Sequence, residues 1–236
     1  MKNNTLKTIL FILITFCAKT QAQIADPAAY LSDIKKELNT VWPKNRTINL
    51  VFHGHSVPSG YGDNHLVHTL EAYPNLLLKT LKEKYPYAVI NVIVTAIGGE
   101  DAIRGQARFE KDVLPHKPDV LFIDYALNDR FSPLDKVRDA WEKMIKSALA
   151  NHIKVILLTP SPDQRIDISD PTNPLDPYAE QIKSLAVTYK TGLADPYTPF
   201  KKIVKEGNVK NYMTSINHPN KEGHMIIVGA IKLYFY

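Results

Sequence analysis

Short apolar, β-branched runs alternate with amphipathic stretches along most of the chain. Ile48 to Phe52, Ala88 to Val94, Asp119 to Ile123, Lys154 to Thr159 and Gly192 to Asp195 predict five strands. The longer runs are apolar without a break, as in strands covered on both faces. Between them Ser32 to Thr40, Leu66 to Leu70, Asn75 to Tyr85 and Ala179 to Tyr189 predict helices, with Ser32 as an N-cap and a break at Tyr73-Pro74. The clearest helix carries Leu134, Val137, Trp141, Met144, Ile145 and Ala148 on one face at 3.6-residue spacing. Gly223 to Tyr236 predicts a terminal helix, and Pro160 to Pro177 holds no periodic element. This alternation predicts an α/β fold, a three-layer αβα sandwich around a mostly parallel five-stranded sheet.

Residues 1–22 lie outside that pattern. Lys2 and Lys7, the apolar run Ile9 to Phe16 and Thr20-Gln21-Ala22 read as a signal peptide, which predicts a secreted or periplasmic protein. The run is shorter than the roughly 20 residues that span a bilayer, so stable membrane insertion is not expected. Cys17, the only cysteine, falls inside this leader, and bulky Ile14-Thr15-Phe16 ahead of it argue against a lipid anchor. Residues 23–236 are expected to form one domain held by core packing without disulfides. Of the formal charge of +5, Lys2, Lys7 and Lys19 lie in the leader, which leaves +2 for the rest. With no basic stripe interleaved with aromatics, nucleic acid is not an expected partner.

The candidate chemistry lies where strands stop. Ile48 to Phe52 runs into His53-Gly54-His55-Ser56-Val57-Pro58-Ser59-Gly60, the second strand into Ala96-Ile97-Gly98-Gly99-Glu100, and the third into Asp124 to Arg130. In a parallel sheet these loops share one rim, where ligands bind. Alone, Ser56 reads as a turn serine. Together the loops supply the parts of an acyl-transfer site: a hydroxyl on Ser56, oxyanion donors at the Ser56 and Gly99 N–H groups and the Asn128 amide, and a base at His218.

Gly54-His55-Ser56, Gly99, Asn128-Asp129 and His218-Pro219-Asn220 resemble, in order, the four blocks of the SGNH (GDSL-type) hydrolase superfamily. The resemblance implies a flavodoxin-like fold with Ser56 as nucleophile, His218 as base and Ser56, Gly99 and Asn128 as oxyanion hole. It implies no cofactor. Two positions depart from the family pattern. His55 stands where the family has Asp, and Ser215 stands three residues before His218, where an Asp-x-x-His pattern has its acid. A backbone carbonyl near Ser215, its hydroxyl or a carboxylate from another loop would then have to orient His218. Glu100 and Asp101 are candidates for that stand-in or for orienting substrate, and Arg130 for a substrate contact or an ion pair with Asp129.

Ser59 reads as a turn residue, His224 as part of the last helix, and Asp163 and Asp195 as loop-shaping. His53, His55, His65 and His68 are close enough in sequence to suggest zinc, but match no recognised ligand pattern, so no metal is expected. The expected activity is a serine esterase with a Ser-His dyad, cleaving short-chain esters, with acetyl on a polysaccharide as the specific expectation. A general short-chain or lipolytic esterase and a non-catalytic, glycan-binding descendant are the alternatives. Specificity is expected in the loops after Gly60 and Pro160.

Overall fold

A computed structural model describes residues 23–236, so the expected leader and Cys17 lie outside the described residues. Five strands, β1 (Thr47–Gly54), β2 (Val89–Val94), β3 (Val120–Asp124), β4 (Lys154–Leu158) and β5 (Gly192–Ala194), form one sheet in the order β2-β1-β3-β4-β5. Every pairing is parallel, so the expected α/β sandwich of flavodoxin-like strand order is the fold observed.

Among the described residues seven helices of seven residues or more flank the sheet: α1 (Ser32–Leu38), α2 (Tyr73–Lys84), α3 (Ala102–Asp112), α4 (Leu134–Ala150), α5 (Asp176–Tyr189), α6 (Tyr197–Lys205) and α7 (Lys221–Lys232). Successive side chains of a strand point to opposite faces, and this divides the core in two. Leu50, Phe52, Phe122 and Ile156 pack with Leu77, Phe200 and Ile231 from α2, α6 and α7. Val51, Leu121, Ile123 and Val155 pack with Phe109, Trp141, Ile145 and Leu185 from α3, α4 and α5. Among the described residues no helix is long and apolar enough to cross a membrane.

The differences from expectation have local causes. β2 is an edge strand, and its residues are only half-buried or exposed. Leu66 to Leu70 is not helical: Leu66, Val67 and Leu70 are exposed, and only a 3-10 turn forms over Thr69–Glu71. Pro74 starts α2 instead of breaking a helix, since a first-turn proline loses no intrahelical bond. Ser32 does not cap α1; it lies in the first turn behind Leu31. Helix α6 went unpredicted because Pro199 reads as a breaker, yet it too stands in a first turn. The aperiodic loop is ordered by Asp167, Asp170 and Asn173, each accepting a backbone N–H two residues on, and is pinned by fully buried Ile168 and Leu175.

Candidate active site

Ser56 is placed by the meeting of β1 and β3. Gly54 pairs with Asp124 at the strand ends, and a Cβ on Gly54 would stand 2.5 Å from the Asp124 carbonyl oxygen. No larger residue fits there without moving a strand. Two residues later Ser56 opens the helical turn Ser56–Ser59, and its backbone N–H is one of the first-turn donors with no intrahelical acceptor. Ser56 is nearly buried, at 7% exposure.

His218 arrives from the other end of the chain. Its Nε2 lies 2.8 Å from Ser56 Oγ and its Nδ1 lies 2.9 Å from Ser215 Oγ. The loop is closed by the Thr214 and Ser215 N–H groups, which donate to the His218 carbonyl at 2.9 and 3.3 Å. Gln164 clamps it from outside. Its backbone N–H donates to Ile216 O at 2.8 Å and its side-chain amide to Ser215 O at 2.9 Å. Burial holds the His218 pKa below the ordinary histidine value, while Asp63 and Asp163 pull the other way.

The glycine loop and the asparagine loop are tied together. Asn128 Nδ2 donates to Glu100 O at 2.9 Å, which occupies one of its two amide hydrogens. Gly99 has φ +79°, a left-handed conformation that favours glycine, and nothing lies within 4 Å of where its Cβ would be. Backbone shape, not crowding, selects glycine there. Ile97 N–H donates to Gly54 O at 3.0 Å, joining this loop to the end of β1. Tyr61 bridges the loops: its ring would meet a Cβ on Gly98 at 3.1 Å, and its centroid is 6.2 Å from that of His218. Beside His218 opens a groove of about 540 Å³ lined by Tyr61, Asp63, His65, Ser215, Ile216 and Asn217.

Other candidates are engaged elsewhere. The Glu100 carboxylate pairs with Arg108 at 2.7 Å, and Asp101 caps α3 and accepts from Ser132 Oγ at 2.7 Å. Neither carboxylate bonds His218; the hydroxyl of Ser215 does. Arg130 does not pair with Asp129. It meets buried Asp163 at 2.5 Å, which Arg165 also binds at 2.5 Å. Asp129 instead accepts from Ala102 N–H and Trp141 Nε1, each at 2.7 Å, and burial pushes its pKa up to about 6. His55 is fully buried, which removes it from substrate contact.

The four clustered histidines do not converge. His53 bonds Thr95 Oγ1 and Gly105 O, while His65 and His68 lie on the exposed segment after Gly62. Among the described residues no group of three or more His, Cys, Asp or Glu side chains is placed to hold a metal ion. Ser59 serves the turn, with its hydroxyl donating to Ala96 O at 3.3 Å, and buried His224 accepts from Tyr73 N–H at 3.3 Å. Gln164 and Tyr61 were missed in the sequence, Gln164 because it sits in a loop without periodicity and Tyr61 because one aromatic after a glycine carries no pattern.

Residues 52–226 match the GDSL-like lipase/acylhydrolase family. Over 189 residues the chain is 25% identical to an acetylxylan esterase of Geobacillus stearothermophilus, covering 75% of this chain and 85% of that protein. The crystal structure of an acetylxylan esterase from that organism superposes with a TM-score of 0.69 at 23% identity, over 80% of this chain and 94% of that one. A two-domain esterase active on acetylated mannans superposes with a TM-score of 0.72 at 19% identity, over 92% of this chain and 55% of its own. With the family matched over residues 52–226, the chain belongs to the GDSL-like lipase/acylhydrolase family and is a carboxylic ester hydrolase of the SGNH type.

Proposed function

We propose that this chain is an exported esterase that removes acetyl groups from a polysaccharide. Ser56 acts as nucleophile and His218 as base. The observation that carries this reading is the unbroken line Ser56 Oγ, His218 Nε2, His218 Nδ1, Ser215 Oγ, with steps of 2.8 and 2.9 Å outside the ring.

With the ring proton on Nδ1 and donated to Ser215 Oγ, Nε2 has a lone pair facing the Ser56 hydroxyl. Ser56 Oγ attacks the ester carbonyl carbon as its proton passes to Nε2. The carbonyl oxygen becomes an oxyanion held by the N–H groups of Ser56 and Gly99 and the free amide hydrogen of Asn128. Collapse expels the alcohol, which takes the proton from His218, and leaves acetyl on Ser56. Water, deprotonated by His218, attacks in turn and releases acetate. Ser215 differs from a carboxylate in one respect: a hydroxyl both donates and accepts, whereas a carboxylate only accepts. It therefore orients the ring and gives little charge to the imidazolium. The alcohol part of the ester fits the open groove beside Tyr61.

Aryl esters of increasing acyl length, assayed with wild type and Ser56→Ala, test this directly. Turnover that depends on Ser56 and is highest for acetate is expected, together with acetate release from acetylated xylan or mannan. Equal rates in the two proteins would sink the esterase mechanism, and rates that rise with acyl length would replace it with a lipolytic one.

A further inference from the structure

Directly beneath the nucleophile lies a buried polar chain that touches no substrate. His55 follows Gly54 and precedes Ser56, and it is fully buried. Its Nδ1 accepts the Val57 N–H at 3.3 Å, so this side chain caps the turn that Ser56 opens. An accepting Nδ1 carries no proton, which places the ring hydrogen on Nε2. Nε2 stands 3.4 Å from Asp124 Oδ1 but out of line for a hydrogen bond, and it has no other partner. The other Asp124 oxygen accepts the hydroxyl of Tyr73 at 3.1 Å. Asp124 is 4% exposed and Tyr73 fully buried, so no solvent competes for these groups. Burial and the neighbouring carboxylate hold the Tyr73 pKa well above its ordinary value, which keeps the phenol a donor.

Such a set is costly to bury without a purpose, because an off-line buried N–H forgoes much of its hydrogen-bond energy. Its members come from the first turn of α2, the end of β3 and the loop after β1, and they meet at the one turn whose placement decides where Ser56 Oγ points.

We propose that His55 and Asp124 form a positioning pair for the nucleophile: Asp124, anchored by Tyr73, fixes the His55 ring, and His55 Nδ1 holds the Val57 N–H and hence the direction of Ser56 Oγ. This rests on the reading of Ser56 as nucleophile. The imidazole makes two separate contacts, so its two ends are separable by substitution. Asn at position 55 can place an oxygen where Nδ1 sits and keep the cap. Gln reaches toward Asp124 and loses it.

The experiment compares wild type, His55→Ala, His55→Asn, His55→Gln and Asp124→Asn by steady-state kinetics on an aryl acetate and by the rate at which an aryl phosphonate ester labels Ser56. Circular dichroism normalises each to the folded fraction. A nucleophile displaced by an ångström loses about 10²-fold in rate. His55→Ala is expected to lose about that factor in kcat and in labelling rate with KM nearly unchanged. His55→Asn is expected to recover about tenfold over both Ala and Gln, the ~1.4 kcal/mol of one hydrogen bond. Asp124→Asn should fall between wild type and His55→Ala. Equal labelling of all folded variants would overturn the positioning role while leaving Ser56 as nucleophile, and so would Asn no better than Ala. Absence of Ser56 labelling in wild type would instead overturn the esterase mechanism, and this inference with it. If His55→Ala does not fold, the Asn against Gln comparison decides the matter.

Discussion

Ser215 Oγ lies 2.9 Å from His218 Nδ1, on the side of the imidazole opposite Ser56. A neutral hydroxyl thus occupies the orienting position, and the surrounding loop is shaped to keep it there: Gln164 fixes the carbonyls of Ser215 and Ile216, and Asp163 next to it is locked between Arg130 and Arg165.

Removing that hydroxyl should cost one hydrogen bond to the imidazole. Ser215→Ala is expected to lower kcat by about tenfold with KM little changed. Ser215→Asp should gain less than about tenfold, because the ring is already held. Steady-state kinetics on an aryl acetate checks both. A gain near a thousandfold for the aspartate variant would mean that serine leaves the site incomplete.

The depressed pKa of His218 sets the acid side of the pH profile. A base works only when unprotonated, so kcat/KM should hold as pH falls past the ordinary histidine value of about 6.5 and decline only below it. In Ser215→Asp the new carboxylate favours the imidazolium, and the acid limb should move upward. A wild-type limb centred above about 7 would contradict the burial that depresses this group.

Asn128 and Gly99 make different demands. Asn128→Ala removes a donor and the tether to Glu100 O, and a kcat loss of about 10²- to 10³-fold at similar KM is expected if it holds the oxyanion. Gly99→Ala meets no steric obstacle but must adopt φ +79°, at a cost of about 1–2 kcal/mol. Chemical denaturation should show that loss for Gly99→Ala and a smaller one for Asn128→Ala.

Two buried histidines tie stability to pH. Burial holds His53 at about 4 and His224 at about 3, against 6.5 when unfolded. Below 6.5 the unfolded chain takes up protons that the folded chain refuses, so stability falls as pH drops toward 4 and 3. Asp129 works in the opposite sense. Its folded value, raised to about 6 from 3.8, lets the folded state bind its proton first and returns part of the loss. The two histidines outweigh it, and urea unfolding should give a net loss of about 3 kcal/mol between pH 7.5 and 5. His53→Gln or His224→Gln should each remove about 2 kcal/mol of that loss and so flatten most of the slope.

Much of this was legible in the sequence because parallel sheets write their rim plainly. Apolar runs that end in glycine or small polar residues mark β1, β2 and β3, and their order brings Ser56, Gly99 and Asn128 onto adjoining segments. Partners within loops were not legible. Nothing near Arg130 in sequence points to Asp163, 33 residues on, and Gln164 reaches Ser215 across 51 residues. Leu66 to Leu70 differs for the reverse reason: its apolar residues suggest a helix, while in the fold Leu66, Val67 and Leu70 face solvent and the segment is not helical. Periodicity reports burial against a core and says little about surfaces shaped around a ligand.

The Ser56–His218 hydrogen bond spans 162 residues of chain. The reactive pair therefore comes into being only when the loop bearing His218 docks at the end of the first strand, with β2 to β5 lying between the two in sequence. Contacts of such long range are the slow ones to form. Ester turnover can thus serve as a clock for maturation: regained activity marks closure of the final junction, and a chain cut short before Asn217 would lack both His218 and the core residues of α7, Ile227 and Ile231 among them, and should regain none.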